Sequence, residues 1–137
     1  MANAFRLHPQ LAADSLLITQ LTLCEVRLIN DSRFPWCLLV PRLLGNLQWH
    51  QLRPKQAEQL QVETRRVASA VDALIEVERL NFGSLGNLVP QLHIHVVGRR
   101  SGDAAWPGPV WGFGAAERYT PSAAQALCET LRNALTD

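Results

Sequence analysis

The stretch Gln91-Leu92-His93-Ile94-His95-Val96-Val97-Gly98-Arg99-Arg100 constrains this chain more than any other. Read as a β-strand, its period of two sends Gln91, His93, His95 and Val97 to one face and Leu92, Ile94 and Val96 to the other. The second face is wholly apolar and calls for burial, which leaves the first to carry chemistry. Two of the four histidines of the chain then stand on one face, roughly 7 Å apart along the strand. At that spacing two imidazoles can handle one small group together.

The rest of the chain supplies neighbours and cover for such a strand. Pro9 to Ser15 starts with a proline suited to a first helical turn and reads as a short helix. Leu21 to Ile29 alternates and reads as a strand. The turn formers Asn30 to Pro35 follow, and then the apolar strand Trp36 to Val40 stops at Pro41. Arg42 to Arg53 is irregular, with leucines and Trp49 that suit a loop packed on a core. From Pro54 to near Leu80, apolar or small residues recur in steps of three and four, including Ala57, Leu60, Val67, Val71, Leu74 and Ile75. That spacing predicts a long helix lying on one face of the sheet. Asn81 to Pro90 begins as a strand and becomes a turn built on Gly83 and Gly86. Residues 106–114 hold too many Pro and Gly for regular structure, yet contain two tryptophans and a phenylalanine, as a segment wrapping a site or an interface would. Thr120 and Pro121 open a closing helix with Ala124, Leu127, Cys128, Leu131 and Leu135 as its apolar stripe. The expectation is one α+β domain over residues 1–137, an antiparallel sheet of about five strands with one long helix and a C-terminal helix.

Charge and cysteine usage narrow the function classes. Thirteen Lys and Arg against twelve Asp and Glu leave a net charge of +1, so neither duplex nucleic acid nor an anionic membrane is expected as the main partner. No apolar run is long enough to span a bilayer, and the first residues lack the apolar core of a secretory signal, so a soluble, cytoplasmic protein is expected. Cys24, Cys37 and Cys128 are odd in number and widely spaced, which reads as reduced, buried thiols.

Gln91-Leu92-His93-Ile94-His95-Val96-Val97-Gly98 resembles the signature of the histidine triad family, in which three histidines alternate with apolar residues and the middle one attacks a nucleotide phosphate. On that pattern His93 is the middle histidine, His95 the third, and Gln91 stands in place of the first. The Gly83 to Pro90 loop before the motif and Gly98-Arg99 after it extend the match, and the resemblance covers about Leu23 to Pro109. It implies a nucleotide pocket in which Asn30 or Asp31 holds the ribose, while Asn81 and Asn87 contact phosphate. It also implies a homodimer and no cofactor. Trp36 stands where family members often carry another histidine.

The chemistry follows from imidazole itself. With a pKa of about 6.5, a neutral ring keeps a free lone pair at pH 7 and can attack phosphorus, provided that one tautomer is fixed. The resemblance assigns that fixing to the Gln91 carbonyl, and His95 would hydrogen-bond a phosphate oxygen as charge builds. The implied activity is hydrolysis or nucleotidyl transfer at the α-phosphate of a phosphoramidate or dinucleoside polyphosphate. Two other classes stay open: a nucleotide-binding module that has lost catalysis, and a metal protein using His93 and His95 as ligands, which needs a third ligand. Asn30, Asp31, Asn81 and Asn87 are also ordinary turn residues. Arg99 and Arg100 are expected in solvent, and His8 and His50 on the surface.

Overall fold

The computed structural model describes residues 4–136. Its elements run α1 (Pro9–Asp14), β1 (Ser15–Gln20), β2 (Cys24–Ile29), β3 (Trp36–Pro41), α2 (Pro54–Asp72), β4 (Arg79–Gly83), β5 (Ile94–Arg99) and α3 (Pro121–Leu135). The five strands form one sheet in the order β1-β2-β3-β5-β4, with every neighbouring pair antiparallel. The α+β architecture expected from the sequence is the one observed.

Alternation sets which face is covered. Cys24, Val26 and Leu28 of β2, Cys37 and Leu39 of β3, and Ile94 and Val96 of β5 pack in one cluster with Leu60, Val67 and Val71 of α2 and Cys128, Leu131 and Leu135 of α3. Each such aliphatic side chain, fully withdrawn from water, contributes roughly 1.5–3 kcal/mol. The register pairs Leu38 with His95 across β3 and β5, so the histidines face the opposite side, which the two long helices leave open. Both helices start as the sequence predicts, with Pro54 and Pro121 in the first turn and the Thr120 hydroxyl accepting from the Ala123 N–H at 3.2 Å. Burial raises the Cys37 thiol to about 12, and all three cysteines are free and buried.

Three boundaries differ from the sequence reading. The long helix ends at Asp72 rather than near Leu80, because Glu76 adopts φ 69 and turns the chain back into β4, where Arg79 pairs with Arg99. Leu74 keeps the helical apolar spacing only because it still packs on the core. The strand expected from Leu21 is β2 alone, preceded by the unanticipated β1, whose alternation is broken by a register shift between Leu17 and Thr19. The turn between them is pinned by Glu63, a fully buried α2 residue whose carboxylate accepts the N–H groups of Leu23 and Cys24 at 2.8 Å each. Finally, β5 starts at Ile94, so Gln91 and His93 belong to the segment entering the strand.

Candidate active site

His93 and His95 are both buried, with ring centroids 5.0 Å apart and planes 65° to each other. Their hydrogen bonds give them opposite tautomers. His93 Nδ1 lies 2.7 Å from the Gln91 carbonyl oxygen. A carbonyl only accepts, so Nδ1 carries the proton and Nε2 keeps its lone pair. At His95 the Trp36 indole N–H donates to Nδ1 at 2.9 Å. An indole only donates, so the His95 proton sits on Nε2. Burial first, and the neighbouring His93 second, push the His95 pKa down to about 3, and the ring is neutral at pH 7.

An aromatic wall stands behind the pair. Trp111 meets His95 edge-on at 5.5 Å and Trp36 at 6.4 Å. Its ring lies so close to β4 that a Cβ on Gly83 would fall 2.8 Å from Trp111 Cζ2, which explains why that strand position carries no side chain. The loop bearing Trp111 is anchored by Arg99, and here the sequence expectation fails. Arg99 is 2% exposed rather than solvated. It donates to both Asp103 carboxylate oxygens at 2.8 and 2.9 Å and to Asn81 Oδ1 at 2.8 Å, between the rings of Phe34 and Trp106. Those hydrogen bonds hold the Asp103 carboxyl below the usual carboxylate range. Arg100 remains exposed.

The open face of the sheet forms a cavity of about 980 Å³ lined by Asn30, Asp31, Asn87, His93 and His95 among others. Five of the seven residues singled out in the sequence are thereby brought together. Asn81, bonded to Arg99, does not line it, and neither does Gln91. Asp31 resists ionisation through burial, but hydrogen bonds from the Arg33 side chain and backbone and from the Glu117 N–H, with the Arg33 charge, outweigh that and keep its pKa low. Asn30 Oδ1 accepts from the Tyr119 N–H at 2.9 Å. Both residues thus tie the turn after β2 to the segment entering α3.

The family-model comparison decides what this arrangement belongs to: residues 10–102 match the HIT domain. The chain is a member of the histidine triad family. A histidine triad protein of Sinorhizobium meliloti 1021 shares 40% identity at a TM-score of 0.93, over 96% of this chain and 97% of its own. One of Bradyrhizobium japonicum also shares 40% at 0.93, over 97% and 99%. A third, of Marinobacter aquaeolei VT8, shares 38% at 0.92, over 96% of both chains. No match was found among the curated proteins.

Against the histidine triad pattern, the departure at Gln91 now has a location. Its carboxamide accepts from the His8 N–H at 2.8 Å and donates to the Arg6 carbonyl at 2.9 Å, fastening the N-terminal segment beside the motif. His8 in turn lines the cavity, half-buried, while His50 is exposed. Sequence reasoning missed His8 and Arg33 as cavity residues. His8 gave no signal because its neighbour in space, Gln91, is 83 positions away, whereas the aromatic content of the loop did mark Trp111.

Proposed function

We propose that this histidine triad protein is a nucleotide hydrolase or nucleotidyl transferase acting at the α-phosphate of a nucleotide conjugate, with His93 as covalent nucleophile. The observation that carries the reading is the fixed Nε2 lone pair of His93, set in a cavity beside a His95 that offers an N–H. In the first step His93 Nε2 attacks phosphorus, the N–P bond forms, and the bond to the leaving group breaks with its electron pair going to that group. Water then attacks phosphorus, the N–P pair returns to His93, and one water proton passes to solvent. His95 Nε2–H hydrogen-bonds a phosphoryl oxygen as charge grows. Asn87 stands at the phosphate end, and Asn30 or Asp31 at the ribose. Asn81, bonded to Arg99, acts on the wall rather than on the ligand.

The test is incubation with an adenosine phosphoramidate and a diadenosine polyphosphate, with intact-mass detection of a nucleotidyl adduct on the parent and on His93→Ala. The parent should turn over at least one of them, and the adduct should be absent from the variant. Full activity in His93→Ala would sink the assignment, and nucleotide binding without turnover in the parent would leave the binding-module reading in its place. The metal reading is disfavoured because, among the described residues, no group of three or more His, Cys, Asp or Glu is placed to hold an ion. A chelator is accordingly expected to leave the rate unchanged. We also propose a homodimer, supported by the outer edge of β4, which has no partner strand among the described residues.

A further inference from the structure

We propose that Trp36 commits His95 to donating a hydrogen bond through Nε2, leaving the site without a group that can protonate the departing atom, so that its substrates are nucleotides joined through a phosphoanhydride. This rests on the covalent reaction just proposed and selects within it against phosphorus–nitrogen and alkyl ester conjugates. The geometric argument starts at the indole. A proton added to His95 Nδ1 would face the Trp36 N–H across 2.9 Å, donor against donor, so the imidazolium is opposed by a contact rather than merely by burial. The neighbours of His95 offer no compensation: Trp36 comes from β3, Gly83 from the paired position on β4, Trp111 from the loop, and His93 from its own segment. Of these His93 alone titrates, and a charge on it would oppose one on His95.

The other candidate donors are already committed. His93 gives its Nδ1 proton to the Gln91 carbonyl. His8 Nδ1 accepts the Gln10 N–H at 3.0 Å, so in this geometry that nitrogen has no proton to give. Asp31 is paired with Arg33 at 2.8 Å, and Asp14 accepts from the Gln10 amide at 2.9 Å. Among the described residues lining the cavity there is no Ser, Thr, Tyr, Cys or Lys. A leaving group here must carry away its electron pair as a stable anion. Phosphate does so easily, with a conjugate acid of pKa about 6, whereas a primary amine, near 10 by the lysine value, does not. Arg33 and Arg118 on the cavity wall suit an anionic product.

The experiment uses the full chain with adenosine as the nucleoside probe. Along a series of aryl esters of adenosine 5′-monophosphate, kcat/KM should fall steeply, about fivefold or more per unit of phenol pKa, as expected without acid assistance to the leaving atom. A diadenosine polyphosphate should be cleaved at least about a hundredfold faster than an adenosine phosphoramidate of a primary amine. In Trp36→Phe, which keeps a ring but removes the donor, the slope should flatten and that ratio should shrink at acidic pH. Independently of turnover, ¹⁵N spectra of the parent should show His95 with a pyridine-like Nδ1 and a pyrrole-like Nε2, and Trp36→Phe should average or reverse them. A flat slope in the parent, equal rates on anhydride and phosphoramidate, or a protonated His95 Nδ1 would each overturn the proposal. If the parent turns over no substrate, the reaction reading and the substrate claim fall together, while the nitrogen shifts still decide the tautomer.

Discussion

The carbonyl of Gln91 accepts the His93 Nδ1 proton at 2.7 Å, while its carboxamide holds the backbone of Arg6 and His8, so the main chain serves the nucleophile and the side chain serves the N-terminal segment. Gln91→His keeps the carbonyl and loses the two backbone contacts. Turnover should therefore change within about tenfold, or about 1.4 kcal/mol of barrier, and faster amide exchange at His8 should report the released segment. His93→Ala should lower kcat by about a thousandfold or more with Kd for nucleotide little altered, because the lone pair acts in bond formation rather than in binding. The tautomer of His93 was legible through the family resemblance, which assigned its fixing to the Gln91 carbonyl two residues away. That of His95 was not, since Trp36 is 59 positions distant and only the β3–β5 register brings the two together. His95 also makes a prediction for stability. Its folded pKa is depressed to about 3 from 6.5, so below pH 6.5 the unfolded chain binds a proton that the native one refuses. Stability should consequently fall as pH drops from 6.5 towards 3, with a contribution approaching about 1.4 kcal/mol per pH unit for one proton. Denaturant melts of the parent and of His95→Asn across that window would measure the difference, and identical slopes would contradict the depressed pKa.

At the scale of elements, the wall of the cavity depends on groups that never reach it. Arg99 and Asp103 bind across a loop at a spacing of four residues, a pairing present in the sequence but hidden there because no helix advertises it. Removing one partner of a buried pair leaves the other charge uncompensated, at a cost of roughly 3–5 kcal/mol. Arg99→Met should therefore lower the melting temperature sharply and lower kcat/KM as well, since the loop carrying Trp111 loses its anchor; a stability loss with unchanged kinetics would show that the loop holds its place without Arg99. Gly98 marks the opposite face of the same strand, where a Cβ would fall 2.7 Å from Pro35 Cγ and 2.9 Å from Val77 Cγ2. Gly98→Ala should cost about 1–3 kcal/mol by overpacking, read by denaturant unfolding. The ends of α2 and β1 escaped the sequence reading for a related reason. Leu74 obeys the helical period although the helix has ended, and the register shift inside β1 erases its alternation, so local pattern and tertiary packing give different answers there.

For the whole molecule, the sheet is capped on one side by β1 with α3 nearby and ends on the other at β4, whose outer edge pairs with nothing among the described residues. An exposed strand edge is a template for another strand. Phe82 strengthens the case: its partner Val96 lies on the face covered by α2, yet Phe82 itself is 53% exposed because the helix does not extend over it. A second copy related by a two-fold axis would pair β4 with β4, continue the sheet and cover both phenylalanines. Light scattering at micromolar concentration should give twice the chain mass for the parent. Phe82→Glu, which would place like charges together across that axis, should give the chain mass while keeping the circular dichroism of the parent. A parent that scatters as a monomer would remove the dimer, and a Phe82→Glu variant that stays dimeric would move the interface away from β4.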